Sequence, residues 1–349
     1  MQPSPWYQKK NKILITGAAG FLGSYITRKL ISEGFSNLVC LKRNTSNTEL
    51  TNDISTSFNW IDGDILDIPM LQDAMKDADV IIHAAAIVNF HDLSHKKMLK
   101  IAKEGTANLV NISLDNNVKK FIHISSVAAI GRRRENETIS EKNIFSQSEF
   151  DTTYGLSKFL AEQEVWRGHA EGLNVTILNP SMILGAGKWD ESSVKIFKNV
   201  YSGLYFYPPG STGWVDVRDV AESVFQSLIK DLNGQRYIIS AENIQYFDIL
   251  KSISKKLSVS PPKKVLKSRI SSFFWRWEVA KAFFTHHVPI ITKETIKSMS
   301  AKSTYENNKS VSELGIKYTP IENTIAACCK EFLDSYPIGK KVWNIILAT

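Results

Sequence analysis

The stretch KILITGAAGFLGSYITRKLIS, Lys12 to Ser32, decides the fold. Its first five residues form a short apolar run of the kind a buried strand needs, and Phe21 to Ser32 then repeat apolar residues at a helical period. Between them TGAAGFLG carries Gly17, Gly20 and Gly23 in a GxxGxxG spacing. A tight turn out of a strand needs Gly17, close approach of the backbone to a pyrophosphate needs Gly20, and close packing of helix on sheet needs Gly23. Strand, glycine turn and helix in that order put the unpaired N–H groups of a helix N-terminus where phosphate is bound. The plain alternative is a tight turn that holds no ligand.

Outward from this unit, short apolar runs recur at Asn37 to Leu41, Asp79 to Ala85, Phe121 to Ser125 and Val175 to Leu178. Helical patterns lie between them near 67–77, 95–115 and 152–170. Such alternation predicts right-handed βαβ units and an α/β fold with a Rossmann-type, doubly wound parallel sheet. Beyond Pro180 the pattern changes to a Gly/Pro-rich stretch, Tyr207 to Gly213, a strand-like Tyr237 to Ser240, and then mostly helical sequence rich in Lys and Ser. We therefore expect a dinucleotide-binding domain of residues 1–180 and 213–243. A smaller, mostly helical C-terminal substrate domain of residues 181–212 and 244–349 would close a cleft against it.

The chain has 349 residues, 43% of them hydrophobic, enough for a sizeable core. No run reaches the ~20 apolar residues of a spanning helix, so no transmembrane segment is expected. Cys40, Cys328 and Cys329 lack metal-ligand spacing, which points to a reducing, cytoplasmic setting. The formal charge of +8 is spread over separate clusters such as Lys9-Lys10 and Arg132 to Arg134. Without a basic stripe or an interleaved aromatic platform, nucleic acid is not expected as a partner.

The end of the second strand reads the cofactor. NAD-binding proteins place an acid there, about 20 residues after the glycine turn, to hold the ribose 2′-hydroxyl. This chain offers Lys42-Arg43-Asn44-Thr45 instead. A guanidinium at Arg43 favours a 2′-phosphate by charge and by fork geometry, so NADP(H) is preferred, with NAD(H) possible. Asp64 stands where a carboxylate meets the adenine amino group; it also reads as a helix cap before Ile65 to Leu71.

YGLSK, Tyr154 to Lys158, puts a phenol and an ammonium four residues apart on one predicted helical face. Tyrosine titrates near pH 10, so acid–base work at neutral pH needs a nearby positive charge, which Lys158 supplies. Ser125-Ser126, at a strand end, is placed to polarise a substrate oxygen.

Together these segments resemble the extended short-chain dehydrogenase/reductases. TGAAGFLG, HAAA at His83 to Ala86, HISSVAAIG at His123 to Gly131, YGLSK, LNPSMILGAG at Leu178 to Gly187 and GWVDVRDVA at Gly213 to Ala221 follow one another in that family's order. The resemblance covers nearly the whole chain. It implies a catalytic set of Ser126, Tyr154 and Lys158, Ser126 being the serine five residues before Gly131. It also implies a cofactor lined by Gly17, Gly20, Phe21, Leu22, Gly23, Arg43, Asp64, Ile65, Ala84, Ala85, Lys158 and Pro180. One departure is Ala102, where many members carry Asn before the Gly105-Thr106 pair.

The segment LNPSMILGAG is similar to that of dihydroflavonol-4-reductase-like and cinnamoyl-reductase-like enzymes. The resemblance thus implies an NADP(H)-dependent oxidoreductase that reduces a small-molecule carbonyl, aldehyde or ketone, to an alcohol. An NAD-dependent sugar-nucleotide epimerase or dehydratase is the alternative, and the family implies a monomer or homodimer. His91 and His95 share a helical spacing but lack a third ligand, so no metal is expected. The aromatic-rich Phe273 to Phe284 and the tail Lys340 to Thr349 read as packing against their own domain, with a surface or subunit contact as the other reading.

Overall fold

A computed structural model describes residues 7–86, 95–131, 138–145, 152–266 and 298–335. His91, Arg132 to Arg134, the aromatic segment Phe273 to Phe284 and the tail Lys340 to Thr349 lie outside these residues.

The N-terminal part alternates strands and helices. In chain order they are β1 (Ile13–Thr16), α1 (Phe21–Ser32), β2 (Leu38–Lys42), β3 (Asn59–Asp62), α2 (Ile68–Met75), β4 (Val80–His83), α3 (His95–Asp115) and β5 (Lys120–Ile124). There follow β6 (Thr138–Ile139), α4 (Thr153–Ala170), β7 (Val175–Pro180), β8 (Met182–Leu184), α5 (Lys195–Tyr201), β9 (Phe206–Tyr207), β10 (Ser211–Asp216) and α6 (Val217–Ile229). The chain continues through β11 (Gln235–Ile239), β12 (Glu242–Gln245), α7 (Tyr246–Lys256), β13 (Lys264–Val265), β14 (Thr304–Tyr305) and a last helix, α8 (Ile321–Ser335).

Seven strands form one parallel sheet in the order β11-β7-β5-β4-β1-β2-β3. The order reverses between β1 and β4, so their C-terminal ends make the crevice where such sheets bind ligands. Strand sequences explain the layers, because successive side chains point to opposite faces. Ile13 and Ile15 pack with Ile26 and Leu30 of α1 and Val220 and Val224 of α6. Leu14 packs on the other face with Leu71 of α2, Leu109 of α3 and Val165 of α4. Both faces are covered, which is why β1 and β4 read as near-continuous apolar runs rather than alternating ones.

β3 did not stand out in the sequence. It is the sheet edge, and its residues Asn59 to Asp62 are exposed or half-buried, so it has no apolar run to betray it.

The smaller part packs α5, α7 and α8 against the sheet β12-β10-β8, with Phe197, Trp214, Ile249, Ile325 and Phe332 in its core. It is tied to the larger part through buried carboxylates. Asp216 caps α6 and accepts from the Thr324 hydroxyl at 2.8 Å, and Asp219 accepts from Thr319 N–H at 2.7 Å.

Candidate functional site

The glycine turn lies at the C-terminal end of β1. Gly17 has φ of +78°, a conformation that glycine takes without strain, and a Cβ there would meet Ala85 N at 2.6 Å and Ala84 C at 2.7 Å. Gly17, Ala84 and Ala85 are therefore brought together by the β1–β4 pairing. Gly20 begins α1 with no side-chain cap, so the N–H groups of Phe21 and Leu22 face the crevice without an intrahelical acceptor. This turn can hold an anion such as a pyrophosphate through backbone donors and the helix dipole. The Phe21 ring lies against the backbone of Gly185 and Gly187, so the LGAG segment covers the start of α1.

At the end of β2 the structure adds what the sequence hid. Lys42 forms an ion pair with Asp62, which pairs with it in register from β3. A carboxylate does stand beside this position, but it comes from the neighbouring strand and is engaged by Lys42. Arg43 is exposed beside it. With Asn44, Thr45, Gly63, Asp64 and Met70 it lines an open cleft of about 370 Å³. Asp64 Oδ1 accepts from Leu66 N–H at 3.0 Å in a turn, while the cap of α2 is Asp67, which accepts from Met70 N–H at 3.2 Å. The cap expected at Asp64 is thus three residues further on. Each acid at this end is engaged, and Arg43 has no side-chain partner among the described residues. Ile65 reaches α3, where a Cβ on Gly105 would lie 2.4 Å from its Cδ1.

Tyr154 and Lys158 sit on the first turns of α4, whose N-terminus is capped by Thr152 accepting from Gly155 N–H. The capped turn fixes both side chains on the face toward β5. Ser126 begins a short turn after β5, and its hydroxyl shares a hydrogen bond with the Tyr154 phenol. Ser125, the neighbouring candidate, is 4% exposed and its Oγ has no partner among the described residues. Lys158 is buried, and its Nζ donates to Ile124 O at 2.8 Å. Pro180 ends β7 next to Asn179, whose Nδ2 donates to Ser126 O at 2.8 Å.

Electrostatics here are set by desolvation. Burial pulls the Lys158 ammonium down to about 8, against the Glu162 carboxylate, which raises it. Burial raises the Tyr154 phenol, and the Ser126 hydrogen bond opposes that rise. In this geometry the relief comes from Ser126 rather than from Lys158, whose ammonium is turned to the Ile124 carbonyl.

Beneath Lys158 lies a chain of buried donors. Ala85 N–H donates to Thr16 Oγ1, Thr16 Oγ1 meets His83 Nδ1 at 2.7 Å, His83 Nε2 meets Thr106 Oγ1 at 3.1 Å, and Thr106 donates to Ala102 O at 2.7 Å. Because Thr106 gives its only hydroxyl proton to Ala102, it must accept from His83 Nε2–H, and His83 Nδ1 then accepts from Thr16. The network assigns His83 as a neutral Nε2–H imidazole. Burial and the nearby Lys158 charge hold its pKa down to about 3.

The structure brings the glycine turn, Arg43, Asp64, Ala84, Ala85, Ser126 and Pro180 to the C-terminal ends of the strands, and Tyr154 and Lys158 face β5 from α4. Sequence reasoning missed Asp62, Glu162, Asn179 and the Thr16–His83–Thr106 chain. His95 makes a hydrogen bond with Thr153 at 2.7 Å, and no cluster of metal ligands occurs among the described residues. No helix among them is long and apolar enough to cross a membrane.

A nicotinamide-dinucleotide-dependent enzyme with a Rossmann-type sheet is the class that this fold and glycine turn define. The profile of the NAD dependent epimerase/dehydratase family matches residues 13–240, and the chain belongs to that family. It is similar to sterol demethylase protein B of Methylococcus capsulatus, 24% identical over 87% of this chain and 92% of the relative. Cinnamoyl-CoA reductase 1 of Petunia hybrida is 24% identical over 83% of this chain and 92% of that protein. Among solved structures, that of gox2253 superposes with a TM-score of 0.81 at 29% identity, covering 93% of this chain and 99% of the other.

Proposed function

We propose that this chain is an NADP(H)-dependent reductase that converts the carbonyl of a small molecule, an aldehyde or ketone, to an alcohol. The observation that carries the reading is the Ser126–Tyr154 hydrogen bond over buried Lys158, a phenol held next to a hydroxyl at the mouth of a dinucleotide crevice. The residues present fit the cofactor: the uncapped turn Gly20 to Leu22 offers backbone donors to a pyrophosphate, and Arg43 and Asp64 line the cleft that would take the adenosine end, with Ile65 packed behind it on Gly105. When bound there, the cofactor supplies the hydride.

The protein residues do the rest. Ser126 donates a hydrogen bond to the carbonyl oxygen and orients it, and Tyr154 gives that oxygen its proton from the phenol. Lys158 would hold the ribose hydroxyls, and its charge, one helical turn from Tyr154, would favour the phenolate that remains through space rather than by a hydrogen bond. Ala84, Ala85 and Pro180 shape the wall on either side, and Gly17 and Gly23 keep α1 close to the sheet.

Although the family takes its description from NAD, Arg43 supports NADP here. It is the one cation of the adenosine cleft without a partner among the described residues, whereas Lys42 is occupied by Asp62. Likeness to a cinnamoyl-CoA reductase supports the reductase branch. The three cysteines are buried thiols, in keeping with a reducing, cytoplasmic setting.

Titrating NADPH and NADH side by side, then following NADPH oxidation with a panel of aldehydes, ketones and nucleotide sugars, tests the proposal. Tighter NADPH binding and carbonyl-dependent oxidation support it. Retained NAD and isomerised or dehydrated nucleotide sugar without net oxidation would move the assignment to the epimerase or dehydratase activities that give the family its description.

A further inference from the structure

Glu162 lies one turn of α4 beyond Lys158, and its carboxylate is 1% exposed. Burying a carboxylate is unfavourable by several kcal/mol unless its oxygens are satisfied, so its partners define its role. Oε1 accepts from Asn179 Nδ2 at 2.5 Å, and Oε2 faces Arg236 Nη1 at 3.4 Å. The same Asn179 nitrogen donates its other proton to Ser126 O at 2.8 Å. Both amide protons are therefore committed to groups that only accept, which fixes the amide orientation and, through it, the backbone that carries the Ser126 hydroxyl. Arg236 Nη2 donates to Asn143 O at 2.8 Å and to Glu141 O, so the guanidinium anchors the outer side of the network.

We propose that Glu162 is a positioning residue for this site: its buried carboxylate orients the Asn179 amide, which holds Ser126, and supplies the counter-charge for Lys158. The proposal rests on the reading of Ser126, Tyr154 and Lys158 as the catalytic set. Glu162 reaches Asn179 of β7, which in turn holds the Ser126 carbonyl after β5, and it shares α4 with Lys158. Other charged or titratable groups facing Lys158 or Glu162 are Tyr154 on α4, His83 on β4, His123 on β5, and Arg236 on β11 with Glu141 beside it. Both histidines are held neutral by burial far below the range in which Lys158 titrates.

The test is the alkaline limb of NADPH affinity, followed by fluorescence on the full-length protein from pH 6 to pH 10. Glu162→Gln keeps the shape and an acceptor for Asn179 but removes the charge, so the limb moves down by roughly one to two pH units. Arg236→Gln removes the cation that competes for the same carboxylate, so the limb moves up. A merely structural role gives both variants lower thermal stability with the limb in place. If Glu162→Gln fails to fold, the upward shift in Arg236→Gln carries the test alone, and a stationary limb there overturns the proposal. Lys158→Met separates the two readings: a limb that persists in it overturns the cofactor role of Lys158 itself. A limb abolished by Lys158→Met but unmoved by Glu162→Gln overturns the role of Glu162 only.

Discussion

A Cβ placed on Gly23 would lie 2.0 Å from the carbonyl oxygen of Gly17, so the first helix rests directly on the turn that leads into it. Both partners are backbone, and no rotamer change can relieve the contact. Gly23→Ala is expected to destabilise the protein by about 3 kcal/mol, at the upper end of overpacking effects. Gly20→Ala meets its nearest atom only at 3.3 Å and is expected to fold, yet to bind NADPH more weakly, because its methyl enters the space offered to phosphate. Thermal unfolding and dinucleotide titration of the two variants separate these effects. Equal Tm losses would contradict the assignment.

Arg43 and Lys42 should behave unlike each other despite being neighbours. Arg43→Ser is expected to weaken NADPH binding by roughly 10- to 100-fold, the equivalent of one charged hydrogen-bonding pair, and to leave NADH binding within about twofold. Lys42→Ala releases Asp62 into the same cleft, where a free carboxylate repels a 2′-phosphate and accepts from a 2′-hydroxyl. That variant should move preference toward NADH. Side-by-side Kd values for both dinucleotides decide it, and loss of NADH binding in Arg43→Ser would mean that the adenosine end was misread.

Tyr154→Phe removes the phenol proton while keeping the ring. Turnover should fall by ~10²- to 10⁴-fold, the range of positioned acid catalysis, with NADPH affinity nearly unchanged. Single-turnover NADPH oxidation with the aldehyde or ketone selected from the panel is the measurement. Retained turnover would remove Tyr154 from the chemistry. Ser126→Ala should cost less than Tyr154→Phe, because only one donor to the oxygen is lost while the acid remains.

What the sequence made legible was local. The turn from β1 to α1 and the Tyr154–Lys158 pair depend on residues within one turn of each other, so spacing alone places them. The partners of those residues were hidden by distance along the chain. Lys42 and Asp62 are 20 residues apart, Asn179 and Glu162 are 17 apart, and Arg236 and Glu162 are 74 apart. A buried carboxylate such as Glu162 reads in the sequence as one more polar helical residue, since its burial follows only from how α4 docks on β7 and β11. Burial is equally hidden for Lys120, whose ammonium is held at the N-terminal edge of the sheet by Asn174 Oδ1 and Leu232 O, with burial pulling it down to about 7. The helix cap slipped from Asp64 to Asp67 for a smaller reason: GDILD offers two acids ahead of the same helix, and only the fold shows that the first is spent on a turn.

His83 predicts how the protein fails in acid. Its folded pKa, held down to about 3, lies below the usual value near 6.5 because burial, and then the nearby Lys158 charge, disfavour the imidazolium, leaving the neutral Nε2–H form between Thr16 and Thr106. Between those values the unfolded chain binds a proton that the folded chain refuses. This contribution to stability is therefore complete above pH 6.5 and is lost as pH falls toward 3. His123, whose imidazole lies 5.1 Å from that of His83 and is held down in the same direction, adds to the slope. His83→Gln keeps a polar group in the chain but does not titrate, so it should lower Tm at pH 7.5 and flatten the fall of Tm between pH 6.5 and pH 4. Thermal unfolding of both proteins across that window provides the check. Parallel curves would mean that His83 titrates alike in the folded and unfolded chains, and that the neutral imidazole assigned from the Thr16–His83–Thr106 chain is wrong.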